Sequence, residues 1–116
     1  MSQHTYLAVA LLGGLLAVGV LPARAEEAQV TIDNFTFSPT EITVPAGTRV
    51  TWTNRDDIPH TVTESANPRT IKSPPLDTGE TFAFTFDKPG AYRYFCSLHP
   101  HMQGTVVVQE ARGRES

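Results

Sequence analysis

"GAYRYFCSLHPHMQGTVVV", Gly90–Val108, sets a chemical cluster between two strand patterns. "AYRYFC" alternates along its length, and "GTVVVQE" is a β-branched run, the residue type that favours strands. Between them, Cys96, His99 and Met102 follow the spacing C-x-x-H-x-x-M, on a loop held at both ends by a sheet. The chain has one cysteine, four histidines and two methionines, so this stretch takes the only thiol and half of the imidazoles. "KPG", Lys88–Gly90, marks a turn just before it.

Working outward, the pattern stays β. "VTIDNFTFSP" places apolar residues at Val30, Ile32, Phe35 and Phe37, with a phase slip at Asp33-Asn34 that predicts a bulge or bend. "TEITVPAG" carries Ile42 and Val44 on one face and ends in Pro45 and Gly47. "TRVTWTN" alternates Val50 and Trp52, "HTVTES" is brief, and "ETFAFTF" puts Phe82, Phe84 and Phe86 on one face. No helical period follows residue 25. Short strands between Gly and Pro turns predict an all-β, antiparallel sandwich or barrel. Its expected core is Trp52, the three phenylalanines, Tyr92 or Tyr94, and the Val and Ile positions. Ser65–Asp77, with three prolines, is expected to be an irregular surface loop.

The chain of 116 residues suits one domain. Leu7–Leu21 is apolar and uncharged, and Ala23-Arg24-Ala25 has the small-x-small form that precedes a signal-peptidase cut. Residues 1–25 are therefore expected to be a signal peptide, 26–110 the folded domain and 111–116 a polar tail. A retained membrane anchor is the rival reading, but 15 apolar residues fall short of the roughly 20 that span a bilayer. Export to the periplasm is expected, with membrane contact only if the leader stays. The mature chain would hold eight basic and twelve acidic side chains, a charge of −4. No basic cluster is present, which argues against nucleic acid. A lone thiol in an oxidising compartment cannot form an internal disulfide, so something must occupy or shield Cys96.

The donor types name the occupant. Thiolate, imidazole and thioether are soft ligands suited to copper, and a two-histidine, one-cysteine site with a weak axial thioether needs a second histidine. Outside the leader and the cluster, His60 in "NRDDIPHTVTES" is the available one. The expected set is thus His60, Cys96, His99 and Met102.

The two motifs together, "GAYRYFCSLHPHMQGTVVV" and "DDIPHTV", resemble those of the cupredoxins, the small blue-copper proteins, within them the amicyanin and plastocyanin branch. The resemblance covers nearly all of residues 28 to 109. It implies a Greek-key β-sandwich and one type 1 copper ion. His60, Cys96 and His99 would be strong ligands and Met102 the long axial one. It implies one-electron transfer between Cu(II) and Cu(I) rather than enzymatic turnover. His99 would be the exposed route for the electron and His60 the more buried ligand. Leu98, Pro100 and Pro59 would form a docking rim for transient redox partners of a monomer. A periplasmic copper carrier that delivers metal is the alternative. It is disfavoured because the mature chain holds only Met102 where carriers often have more methionines or a second soft cluster. Three positions depart from the usual pattern. Thr61 stands where many relatives have asparagine, which predicts a looser surround for the His60 loop. Leu98 replaces the usual proline, and His101 a large apolar residue. His101 is expected to be an exposed rim histidine; the alternative is a modulator of docking with pH or an extra ligand for incoming copper.

Overall fold

A computed structural model describes residues 26–111. The expected leader at 1–25 and nearly all of the polar tail lie outside the described residues. Eight strands form two four-stranded sheets, and no helix is present among the described residues. β1 (Glu27–Asp33), β2 (Thr36–Ser38), β4 (Thr48–Asn54) and β6 (Thr81–Phe86) make one sheet, in the order β2-β1-β4-β6. β3 (Glu41–Pro45), β5 (Thr63–Glu64), β7 (Gly90–Cys96) and β8 (His99–Gln109) make the other, in the order β3-β8-β7-β5.

The sandwich is mixed rather than wholly antiparallel. β1 runs parallel to β4, and β3 runs parallel to β8. Each parallel pair needs a connection that crosses between the sheets, a non-local feature that strand patterns do not display. Period-two alternation decides what each strand buries. On β4, Thr48, Val50, Trp52 and Asn54 face inward. Val30, Ile32, Phe37, Tyr94, Val106 and Val108 meet them between the sheets. Trp52 is fully buried. It packs edge-on against Tyr94 at 5.3 Å, so truncating it to alanine costs about 3–5 kcal/mol.

The three-phenylalanine face is only partly core. Phe86 is buried, but Phe82 and Phe84 are half-covered because β6 is a sheet edge with one hydrogen-bonded neighbour. Tyr94, not Tyr92, is the buried tyrosine. The segment Ser65–Asp77 is irregular, as expected, yet not simply surface: Ile71 and Leu76 enter the core.

The phase slip near Asn34 is a hairpin turn. Asp33 pairs with Thr36, which leaves Asn34 and Phe35 as a two-residue loop with φ of 54° and 57°. Two positive φ values in a two-residue hairpin are the type I′ requirement. Each costs an L-residue about 1–2 kcal/mol, less for asparagine, whose short side chain bonds locally.

The alternation on β7 and β8 aims at one pole. Tyr94 and Cys96 are the buried positions of β7, and Met102, Gly104, Val106 and Val108 those of β8. Only Ser97 and Leu98 separate the two strands, so the expected loop is a tight turn. The register jumps there: Phe95 pairs with Gln103, but Cys96 pairs with His99. Pro100, His101 and Met102 are the surplus residues, and they arch away from the ladder as a bulge does.

Candidate copper site

β7 delivers Cys96 to the core-facing side at the end of the sandwich, fully buried. His60 arrives from the segment after β4, also fully buried. A single buried amide shapes that segment. Asn54 Nδ2 donates to the carbonyls of Ile58 at 2.9 Å and Leu76 at 2.8 Å, and its Oδ1 accepts the Asp56 N–H at 2.9 Å. The His60 backbone is then pinned to Leu76 in both directions, at 3.2 and 2.7 Å.

The imidazoles converge on the thiol. Cys96 Sγ lies 3.6 Å from His60 Nδ1 and 3.7 Å from His99 Nδ1. The three ligand atoms lie within 4.8 Å of one another. His99 is half-exposed where His60 is buried, and Met102 is buried on β8. His101 is exposed. The donor set and its spacing fit a copper ion: one sulfur and two imidazole nitrogens around one point, with a thioether on the adjoining strand.

Asp56 fixes which nitrogen of His60 is free. Its Oδ2 lies 2.8 Å from His60 Nε2. Partial burial pushes this carboxyl upward, but the N–H groups of Phe35 and Asn34 and the His60 ring outweigh that and hold it below its ordinary range. An ionised carboxylate only accepts, so Nε2 carries the proton of the neutral ring. The Nδ1 lone pair is left facing the thiol, the arrangement by which an outer carboxylate orients a metal-binding histidine.

Thr61 ties the two ligand segments together. Its N–H donates to Cys96 Sγ at 3.3 Å, and its Oγ1 accepts the Ser97 N–H at 2.8 Å. The same hydroxyl lies 2.9 Å from Thr63 Oγ1 and 3.0 Å from Ser97 Oγ. The looser surround expected of threonine is therefore not found; its hydroxyl reaches across to the turn after Cys96.

Asp56 and Phe35 escaped the sequence reading. Phe35 is 44% exposed. Its ring stands edge-on to His60 at 5.6 Å and to His99 at 5.1 Å. Asp56 sits four residues before His60 in a run of polar residues, and that spacing was the available signal.

A family model described as the cupredoxin-like domain matches residues 5–108. The chain belongs to the cupredoxin family. Amicyanin-alpha of Methylorubrum extorquens is 38% identical to it over 100 residues, covering 84% of this chain and 82% of that protein. The chloroplastic plastocyanin of Tetradesmus obliquus is 35% identical, covering 87% and 77%. Among solved structures, a purple cupredoxin from Nitrosopumilus maritimus superimposes with a TM-score of 0.67 at 37% identity, covering 71% of this chain and 99% of that one. The two sheets are thus the Greek-key sandwich expected, on the amicyanin and plastocyanin branch. The cofactor of this cupredoxin is one copper ion, and its class is electron carrier, not enzyme.

Proposed function

We propose that His60, Cys96, His99 and Met102 hold the copper ion, with Met102 as the weak axial ligand, and that electrons pass through the His99 side of the site. Copper bound there would supply a one-electron couple between Cu(II) and Cu(I). The observation that carries the reading is the convergence of one thiol and two imidazoles, all within 4.8 Å, from two segments clamped by Thr61. Ligands fixed on a packed sandwich move little between oxidation states, which favours fast transfer. His99 presents Nδ1 to the thiol and leaves its Nε2 edge on the far side of the ring.

Partners dock transiently on the apolar rim beside His99, where Leu98, Pro100 and Phe35 are exposed. Small, weakly held interfaces suit redox encounters. The protein acts as a monomer, exported to the periplasm once residues 1–25 are removed, and its domain is residues 26–110.

The visible and paramagnetic spectra of the Cu(II)-loaded mature protein test the ligand set. The expected result is an intense blue band and a narrow copper splitting. Cys96→Ser should abolish both and His101→Ala should keep both. A colourless parent protein, or loss of the band in His101→Ala, overturns the assignment.

A further inference from the structure

A type I′ turn asks for glycine or asparagine at its second central position, because both central residues sit at positive φ. Asn34 meets that demand at the first position; Phe35, at φ 57°, does not at the second. A bulky aromatic in the left-handed region persists only where its surroundings hold it there, and such outliers gather at functional sites. Here the holder is Asp56, whose two carboxylate oxygens accept the N–H of Asn34 at 2.7 Å and of Phe35 at 2.9 Å. Burial does not explain the residue, since the side chain is 44% exposed. Its ring meets instead both imidazoles, at interplanar angles of 84° and 90°. Among the described residues, the one hydrogen-bonding approach made by the His99 ring is the 3.7 Å contact of Nδ1 with the thiol. That is too weak to stop the ring turning, so packing must do so.

We propose that Phe35 is a positioning residue: the strained turn presses its ring against His60 and His99, holds the half-exposed His99 in its ligating rotamer, and keeps water and chelators from the copper. This rests on the ligand assignment above. The Asp56 carboxylate, through its bond to His60 Nε2, sets the turn and the buried imidazole together.

Phe35→Gly separates this role from a merely structural one, because glycine suits the turn and removes only the ring. The metal-free variant should melt no lower than the parent. Loaded with Cu(II), it should stay blue yet release copper to excess EDTA at least fivefold faster. In the metal-free protein, the His99 ring resonances should report one rotamer in the parent and averaging in the variant. With a blue parent, release less than fivefold faster, or an unaveraged His99 ring in the variant, overturns this proposal alone. A parent that never turns blue overturns the ligand assignment and this proposal with it.

Discussion

Asp56 Oδ2 stands 2.8 Å from His60 Nε2, while both oxygens of the same carboxylate also cap the Asn34–Phe35 turn. One acidic side chain therefore joins the hairpin tip of one sheet to the buried imidazole that faces Cys96. All three of its partners donate, which only an ionised carboxylate satisfies in full.

Asp56→Asn keeps the shape and removes the charge and one acceptor face. Hydrogen bonds to charged groups contribute about 1.5–3 kcal/mol each, and part of that survives in the amide, so a loss of about 1–2 kcal/mol is expected at pH 7. The sign of the pH dependence follows from the depressed folded value. The stabilisation is complete above the ordinary carboxyl value of 3.8 and is lost as pH falls through the lower folded value. Denaturation of the metal-free parent and variant should thus show a gap that shrinks as the Asp56 carboxyl takes up its proton. It should close as the solution becomes more acidic than the ordinary carboxyl value. A gap that persists in solutions well more acidic than the ordinary carboxyl value would contradict the assignment.

Thr61→Val is nearly isosteric and leaves the Ser97 N–H without its acceptor. That bond is only part-buried and Ser97 is exposed, so the loss should fall at or below the low end of the about 1–3 kcal/mol that a fully buried stranded donor costs. The Thr61 N–H to Cys96 Sγ bond is a backbone bond and should persist. The expected outcome is a lower melting temperature with the blue band retained and the reduction potential shifted, because hydrogen bonding beside the Cys96 sulfur changes. Thr61→Ser should restore the parent values. Equal stability of the valine and parent proteins would show that the hydroxyl is not the tie.

Local patterning made the Trp52 strand and the buried position of Cys96 legible, because both obey a period of two on strands long enough to show it. The meeting of His60, Cys96 and His99 was legible because thiol and imidazole donors are scarce in this chain. Phe35 was not, since its place in an apolar alternation suggests a core residue; a two-residue turn shifts the phase and turns it out to the pole. Asp56 reads as a solvated acid until the hairpin tip, 22 residues earlier, is folded against it. The parallel pairings of β1 with β4 and β3 with β8 depend on chain crossings that no window of sequence contains.

Gly104→Ala should destabilise strongly for want of space rather than of backbone freedom. Gly104 pairs with Tyr94 across β7 and β8, and the Tyr94 ring lies over it. A Cβ at 104 would run into the phenol ring and hydroxyl of Tyr94. Tyr94 is itself packed against Phe37 at 4.7 Å and Trp52 at 5.3 Å, so the ring has nowhere to retreat. Overpacking of this kind costs about 1–3 kcal/mol. Burial pushes the Tyr94 phenol up to about 12, so the ring is neutral at the pH of such a measurement and the clash is purely steric. Chemical denaturation measures the loss; a variant as stable as the parent would mean that the strands part more easily than the packing implies.

Copper removal should lower stability by more than any of these substitutions. The site exists only when β7, the His60 segment and β8 are in register, so metal binds the folded chain in preference to the unfolded one. At free copper a thousand times the dissociation constant, that preference contributes about 4 kcal/mol. In a domain of this size each 1 kcal/mol moves the melting point by roughly 4–8 °C, so loading should raise it by more than about 10 °C. The gain belongs to the ligands and not to the pole at large. Cys96→Ser should therefore melt near the metal-free parent and respond weakly to added copper. Scanning calorimetry of the parent and the serine variant, each with and without copper, decides it. An equal upward shift in both proteins would place the metal somewhere other than beside Cys96.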